Sequence, residues 1–171
     1  MIRSKQHLIP FITEEEINEI IRKLSRSIER DYEGKFVTII CPLKGSVPFC
    51  SDLMRELKLK QEIDFVHLTS PRGESVQILK DVSIDLTNKH VLIVEEIVDA
   101  GRTLNFLKNR IISSSPASVK IVALLDKPAR RELLIKPDYI GKTIDDRFVF
   151  GYGMDHEEKG RNLKAIYSLA Q

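Results

Sequence analysis

Two adjacent acids and a glycine turn follow a run of apolar residues near the middle of the chain. Glu95 and Glu96 come directly after residues 91–94, and Asp99 and Gly101 follow them closely. Carboxylates can hold a diol or a metal-bound ligand, Asp99 could accept a proton from a reacting ring, and Gly101 lets the backbone approach a phosphate. If the strand continues, Glu95 and Glu96 point to its opposite faces. The spacing predicts a site for a phosphorylated, metal-bound ligand.

A strand and a helix must position these groups. Residues 91–94 are all apolar and mostly β-branched, which is typical of a buried parallel strand. Leu104, Leu107 and Ile111 recur at helical spacing and predict a helix. Backbone N–H groups at a helix start lack intrahelical partners and the helix dipole favours anions there, so the turn suits a phosphate. Thr103 is expected to cap this helix and to donate a hydroxyl hydrogen bond.

Helical and strand patterns alternate along the rest of the chain. The predicted strands lie near residues 36–41, 63–68, 76–79, 91–94, 119–125 and 148–150, and the predicted helices near residues 14–28, 49–57 and 104–111. Thr13 and Glu16 have the spacing of a capping box at the first helix. Strands that alternate with helices favour a parallel sheet, in which ligands bind beyond the carboxyl ends of the strands.

Composition limits the class of protein. The 171 residues most simply form one domain, 1–171, long enough to bury a sizeable core. Lys+Arg number 27 and Asp+Glu 25, and the net charge of +2 gives no reason to expect nucleic-acid binding. Cys41 and Cys50 are predicted to be buried free thiols in a reducing compartment. No apolar run of signal or membrane length occurs near the N-terminus, which favours a soluble cytoplasmic protein without a membrane partner.

Four stretches carry a family resemblance. Residues 91–104 resemble the phosphoribosyl pyrophosphate (PRPP) motif of the type I phosphoribosyltransferases. Residues 43–45, residues 124–131, and residues 148–155 with Arg161 beyond them resemble stretches of the hypoxanthine(-guanine) phosphoribosyltransferases in particular. The stretches occur in the family's order, and the resemblance covers nearly the whole chain.

The resemblance implies a fold and a reaction. The fold is α/β, a parallel twisted sheet flanked by helices, with a small hood contributed by roughly residues 1–12 and 137–171. The reaction is a step of purine salvage in which the 5-phosphoribosyl group of PRPP moves to a 6-oxopurine, hypoxanthine and/or guanine. The products are IMP or GMP and pyrophosphate. Mg²⁺ is the implied cofactor, PRPP and a purine base are the implied partners, and the expected assembly is a homodimer or homotetramer.

The resemblance also implies residue roles. Asp99 is the implied general base at purine N7, Lys127 donates a hydrogen bond to purine O6, and Phe148 stacks on the base. The implied PRPP- and nucleotide-binding residues are Glu95, Glu96, Asp99, Ala100, Gly101, Arg102 and Thr103. The implied pyrophosphate residues are Leu43, Lys44, Gly45 and Arg161, with a cis peptide before Lys44. The implied purine residues are Lys127, Phe148, Val149 and Asp155, and the implied Mg²⁺ ligands are Glu95, Glu96 and Asp155.

Three positions depart from the family pattern. Glu96 stands where the family usually has Asp, and Ala100 replaces a Thr or Ser whose hydroxyl meets the 5′-phosphate. The loop at 69–75, which is expected to close over the site, is short and has Ser70-Pro71 in place of a Ser-Tyr pair. One hydrogen bond to an anion contributes about 1.5–3 kcal/mol. Together the changes predict weaker PRPP binding, slower turnover than in a typical member, or a different base preference.

Two other functions stay open. One is a catalytically weak or non-enzymatic regulator that senses PRPP or a nucleotide on the same fold, and the other is a transferase for xanthine. Lys127 favours a 6-oxopurine but does not choose among hypoxanthine, guanine and xanthine. Arg130 and Arg131 are interpreted as surface charges or subunit contacts, without a role in the chemistry.

Overall fold

Helices and strands alternate along the chain, as the sequence predicts. The structure is a computed structural model that describes residues 9–70 and 75–168. The strands are β1 (Pro10–Ile12), β2 (Phe36–Leu43), β3 (Lys60–Thr69), β4 (Gln77–Lys80), β5 (His90–Val98), β6 (Ser118–Asp126), β7 (Tyr139–Thr143), β8 (Val149–Phe150) and β9 (Ile166–Ser168). The helices are α1 (Glu14–Asp31), α2 (Val47–Glu56) and α3 (Arg102–Ile112), and a short 3-10 turn spans Pro128–Arg130.

Six of the strands form one mostly parallel sheet in the order β4-β3-β2-β5-β6-β7. The edge strand β4 is antiparallel to β3, and the remaining neighbours in this sheet are parallel. The carboxyl ends of β2, β5 and β6 therefore meet at the same edge. This arrangement confirms the predicted α/β class and brings the loops after these three strands together.

Helices cover both faces of this sheet. The apolar sides of α1 and α2 share one buried cluster with β2, β5 and β6. On the opposite face, α3 packs through Leu104, Leu107 and Ile111 against other residues of the same strands. The capping box is confirmed, because Thr13 accepts from the backbone of Glu16 and the Glu16 carboxylate accepts from the backbone of Thr13. Burial on both faces fixes the strand ends that carry the candidate site.

The first and last strands form a second, antiparallel sheet in the order β1-β9-β8. Pro10 pairs with Tyr167 and Val149 pairs with Ser168, so segments near both termini build the expected hood. β7 falls within the segment assigned to the hood but pairs with β6 in the large sheet, because Tyr139 is buried in the core beneath α1. The hood strands therefore use a shorter C-terminal segment than 137–171. Residues 1–8 of the expected hood lie outside the described residues.

Composition predicts that both cysteines are buried free thiols. Cys41 and Cys50 are buried and free, as predicted. Within residues 9–70 and 75–168, no helix combines the length and the apolar character needed to cross a membrane.

Candidate active site

The turn between β5 and α3 borders a cavity of about 300 Å³ at the edge of the sheet. Residues 99–104 line this cavity together with Glu132 and Ser70. Gly101 has a φ of 85°, and a Cβ at this position would lie 2.6 Å from Ile135 Cγ2. Both the left-handed backbone and the lack of space therefore require glycine here. The cavity lies at the start of α3, where unpaired backbone N–H groups can bind an anion.

The cap of α3 differs from the prediction. Gly101 is the N-cap and the helix begins at Arg102, so Thr103 lies inside the first turn and makes no capping hydrogen bond. The expectation that Thr103 caps the helix is wrong because the left-handed glycine makes the turn earlier. Thr103 still lines the cavity, and Arg102 forms an ion pair with Glu132 at its rim.

Side-chain alternation along β5 slips by one residue at the two acids. Val94 lies in one core cluster, whereas Val98, which unbroken alternation would place beside it, lies in the opposite cluster. Glu95 and Glu96 occupy the slip. The Ser46 hydroxyl lies 3.1 Å from Glu95 Oε2 and also contacts Glu96 Oε2. The expectation that the two acids point apart is therefore wrong, because both carboxylates converge on the start of α2.

The two carboxyl groups affect each other's ionisation. Burial raises the pKa of Glu95 well above its ordinary value, and the charge of Glu96 raises it further, while the contact with Ser46 lowers it. Burial also raises the pKa of Glu96, against a lowering by the Ser46 hydrogen bond and the positive charge of Arg161. Two carboxyl groups held this close favour a nearby cation that reduces their repulsion.

These carboxyl groups suit a magnesium ion carried by a substrate. Carboxylate oxygens are the protein ligands that Mg²⁺ prefers, and it is often held by one or two of them plus substrate phosphates. Among the residues that the structure describes, no group of three or more His, Cys, Asp or Glu side chains could hold a metal. Asp155 therefore does not join Glu95 and Glu96 in one cluster, and the two glutamates fit the ion without it.

β2 leads into residues 43–45, here called the Lys44 loop. This loop lies between β5 and the hood. The Leu43–Lys44 peptide is cis, as the resemblance implies. A Cβ on Gly45 would lie 1.9 Å from Glu96 Oε1, and a Cβ on Gly153 would lie 1.9 Å from the Gly45 carbonyl oxygen. Glycine is therefore required on both sides of this contact. The contact brings the expected pyrophosphate loop against one of the two acids.

Glu158, which the sequence analysis did not single out, links the two expected pyrophosphate cations. Its Oε2 lies 3.0 Å from Lys44 Nζ and 3.3 Å from Arg161 Nη2. Arg161 also lies 2.8 Å from Asp155 Oδ1 and donates to the Gly153 carbonyl at 2.9 Å. Because Lys44 and Glu158 are 114 positions apart, local spacing carries no signal for this contact. The structure thus brings Lys44, Arg161 and Asp155 together beneath the hood.

Lys127 follows β6 and is nearly buried, with 7% of the residue exposed. Its backbone N–H donates to the Val98 carbonyl at 3.0 Å, which places it beside the Asp99 turn. Within the described parts of the chain, its ammonium group has no hydrogen-bond or ion-pair partner, although its charge adds to the Arg147 hydrogen bond in lowering the pKa of Asp145. The ammonium is not among the buried unpaired groups of the described residues, so Nζ reaches solvent and is open to a ligand that supplies an acceptor. The site therefore has an unused donor next to a carboxylate.

The segment after Lys127 holds the Asp99 turn. The consecutive carbonyls of residues 98–100 accept hydrogen bonds from residues 127–132 at 3.0, 2.7 and 3.1 Å. The central donor is Arg131, whose side chain is 14% exposed and forms an ion pair with Asp126. The interpretation of Arg131 as a surface charge or subunit contact is therefore wrong, because this guanidinium fixes the backbone of the turn.

An aromatic face borders the site from the hood side. Phe148 is 48% exposed, whereas Val149 is buried in β8. The Phe148 ring centroid lies 5.3 Å from that of His156, and the rings meet at 73°. His156 contacts Phe148 on one side only, so a face of this half-exposed ring stays available to a planar base. The purine contacts of Phe148 and Val149 stay predictions.

The loop expected to close over the site is only partly described. Thr69 ends β3 and Ser70 lines the cavity, but residues 71–74 lie outside the described residues. Closure of this loop over a bound ligand therefore stays a prediction.

The contact between the hood and the Lys44 loop gives a stability prediction. Gly153→Ala would hold alanine at a φ of 96° and press its Cβ against the Gly45 carbonyl oxygen. Strained backbone and overpacking together should lower the free energy of unfolding by about 3 kcal/mol. Gly34→Ala is the matched control, since Gly34 has a φ of 72° and nothing within 4 Å of its Cβ position. It should cost about 1 kcal/mol. Denaturant unfolding measures both values, and equal losses would contradict the close contact.

The fold and the residues at this edge of the sheet agree with a single protein family. A parallel sheet carries an anion-binding turn, paired acids and converging cations at one edge, with a small hood above them. Residues 13–158 match the family described as the phosphoribosyl transferase domain, and the chain belongs to that family.

Within it, the relatives are hypoxanthine-guanine phosphoribosyltransferases. The enzyme of that name from Staphylococcus aureus strain Mu50 is 41% identical over 163 residues, which are 92% of this chain and 91% of that protein. A solved hypoxanthine phosphoribosyltransferase from Staphylococcus aureus has a TM-score of 0.93 at 39% identity, covering 99% of this chain and 97% of that one. A Bacillus anthracis hypoxanthine-guanine phosphoribosyltransferase has a TM-score of 0.92 at 40% identity, covering 95% and 98%.

Some relatives are much longer than this chain. The bifunctional protein TilS/HprT of Listeria innocua is 41% identical over 161 residues, which are 91% of this chain but 25% of that protein. The chain therefore spans about a quarter of the length of these bifunctional relatives, and the similarity concerns that part of them alone.

Proposed function

We propose that the chain transfers the 5-phosphoribosyl group of PRPP to a 6-oxopurine, hypoxanthine or guanine, in purine salvage. The observation that carries this proposal is the position of Lys127, whose ammonium has no hydrogen-bond or ion-pair partner among the described residues, beside the turn that bears Asp99. An ammonium can donate to purine O6, and a carboxylate can accept the proton of the adjacent N7. A 6-amino group offers no such acceptor, so adenine is disfavoured.

PRPP would lie across the same edge of the sheet. We place its 5′-phosphate in the cavity at the start of α3, its ribose diol at Glu95 and Glu96, and its pyrophosphate near Lys44 and Arg161. The 300 Å³ cavity and the shared contacts of the two cations support this placement. Ala100 offers no hydroxyl to the phosphate, so the prediction of weaker PRPP binding than in a typical member is kept.

Glu95 and Glu96 would hold the Mg²⁺ that family membership implies, and the prediction of Asp155 as a ligand concerns a position apart from theirs. When bound, the ion supplies positive charge that stabilises the leaving pyrophosphate. The shared contact of both carboxyl groups with Ser46 supports this assignment, because two carboxylates held this close favour a cation between them.

The chain's own residues would orient both reactants and move one proton. The bond from a purine ring nitrogen to the anomeric carbon forms as the bond from that carbon to pyrophosphate breaks, and the N7 proton passes to Asp99. Positive charge develops on the ribose and negative charge on pyrophosphate. Lys44, Arg161 and the backbone N–H groups of the Lys44 loop stabilise that negative charge. Phe148 keeps the purine ring in the plane of attack.

Glu158 gives a prediction about pyrophosphate binding. Its carboxylate lies between Lys44 and Arg161, so an incoming pyrophosphate group must replace it. Glu158→Gln should therefore lower the Kd of PRPP with Mg²⁺ by about 2- to 5-fold, the range expected for exposed ion pairs. Glu157→Gln is the matched control, because Glu157 pairs with neither cation. Isothermal titration calorimetry measures both, and weaker binding by the Glu158 variant would contradict the replacement.

A spectrophotometric assay tests the proposed function. PRPP and Mg²⁺ are supplied with hypoxanthine, guanine, xanthine or adenine in turn. We expect turnover with hypoxanthine or guanine and none with adenine. Turnover with xanthine alone would support the xanthine transferase. PRPP binding with four inert bases would overturn the transferase and support the PRPP-sensing regulator.

The proposal extends to location and assembly. We propose a cytoplasmic homodimer or homotetramer, in keeping with the expectation from the family. Size-exclusion chromatography with light scattering measures the assembly, and a monomer at micromolar concentration would contradict it.

A further inference from the structure

Arg130 contacts the carboxylate proposed as the general base. Its Nε lies 2.9 Å from Asp99 Oδ1, and its Nη1 lies 3.5 Å from Asp146 Oδ1. Asp99 Oδ1 is itself buried and has no hydrogen bond within the described parts of the chain, so the guanidinium is the positive charge that it faces. The interpretation of Arg130 as a surface charge or subunit contact is therefore incomplete, because the side chain reaches the centre of the site.

The backbone on both sides of this contact is fixed. Arg130 ends the 3-10 turn that starts at Pro128, and its N–H donates to the Lys127 carbonyl at 3.1 Å. Residues 127–132 in turn hold the carbonyls of residues 98–100. The backbones of Arg130 and Asp99 are therefore held close together, although both side chains are about half exposed.

We propose that Arg130 is a positioning residue for Asp99. The positive charge of the guanidinium attracts Oδ1 to its own side and leaves Oδ2 for the purine N7–H group. The second contact of Arg130 is with Asp146, which lies shortly before Phe148 in the chain. One side chain therefore links the proton acceptor to the segment that carries the stacking ring. The inference rests on the proposed function, since it takes Asp99 as the acceptor of the purine proton.

Kinetics of Arg130→Gln and Arg130→Lys test this role. Small misplacements of a reacting group are costly, so Arg130→Gln should lower kcat with hypoxanthine about 10-fold and leave the KM for PRPP within about 2-fold. Arg130→Lys keeps the charge but not the planar group and should recover part of kcat. The matched control is Arg110→Gln, which removes an arginine–carboxylate pair with Asp81 of similar exposure outside the site. Its kcat should not change. An unchanged kcat in Arg130→Gln would overturn the inference.

A double-mutant cycle separates positioning from a general structural effect. In the Asp99→Asn background, Arg130→Gln should lower the residual rate by less than 2-fold, because no carboxylate remains to be positioned. A second 10-fold loss would show that Arg130 acts elsewhere and would overturn the proposal.

A crystal structure of Arg130→Gln gives a readout that does not depend on activity. We expect the Asp99 carboxylate to rotate or to occupy several orientations. An unchanged, ordered carboxylate would overturn the positioning role. Wild-type inactivity with every purine would instead overturn the proposed function, so the two failures are distinguishable.

Discussion

Asp99→Asn is expected to lower kcat with hypoxanthine by about 10²- to 10⁴-fold while the Kd of PRPP changes by less than about 2-fold. The amide has nearly the shape of the carboxylate but cannot take the N7 proton. The backbone of the turn should stay in place, because Arg131 donates to the Asp99 carbonyl at 2.7 Å and not to its side chain. Steady-state kinetics and calorimetry with PRPP and Mg²⁺ measure the two quantities separately.

Two controls make this result specific to the chemistry. The kcat/KM values of the forward reaction and of the reverse reaction, from nucleotide and pyrophosphate, should fall by the same factor, since a variant cannot change the overall equilibrium. Asp85→Asn removes a carboxylate that bonds Thr87 before β5, at the opposite end of that strand, and should retain full turnover. An Asp99→Asn protein that kept more than about a tenth of wild-type kcat would contradict the role of general base.

Lys127→Met should lose activity and gain stability. An ammonium-to-carbonyl hydrogen bond is worth about 1.5–3 kcal/mol, so kcat/KM for hypoxanthine should fall about 10- to 150-fold. The methionine also replaces a lysine that is 7% exposed and has no hydrogen-bond or ion-pair partner in the described parts of the chain, and the free energy of unfolding should rise by about 1 kcal/mol. Purine kinetics and denaturant unfolding of the same variant measure both effects.

Lys120→Met is the matched control on the same strand. Lys120 donates to Asp31 at 2.7 Å and to the Tyr139 hydroxyl at 3.0 Å, so its loss should reduce stability. Turnover should be unaffected, because Lys120 lies near the opposite end of β6 from the site. Reduced stability of Lys127→Met would show that its ammonium already has a structural partner, and full activity would show that it does not meet O6.

The sequence predicts features that depend on neighbouring residues. The alternation of strands and helices, the capping box at Thr13 and the requirement for Gly101 all follow from short-range spacing, and the structure confirms each of them. Hydrophobic periodicity was sufficient because each helix buries one continuous face against the sheet.

The contacts within the site required tertiary structure. Ser46 lies 49 positions before Glu95, and their contact draws together acids that strand periodicity would separate. Arg131 meets the Asp99 carbonyl across 32 positions, and spacing in a sequence gives no sign of such a contact. The prediction that Thr103 caps the helix is wrong for a different reason, since a left-handed glycine can end the turn without a side-chain acceptor. The sequence predicts the need for glycine at position 101 but not its effect on the start of the helix.

A crystal structure with inosine monophosphate, pyrophosphate and Mg²⁺ tests most directly whether this edge of the sheet is a purine nucleotide site. We predict that the 5′-phosphate lies at the start of α3, with purine O6 within hydrogen-bond distance of Lys127 Nζ and N7 facing the Asp99 carboxylate. A nucleotide bound elsewhere, or an Asp99 side chain directed away from the base, would contradict the account.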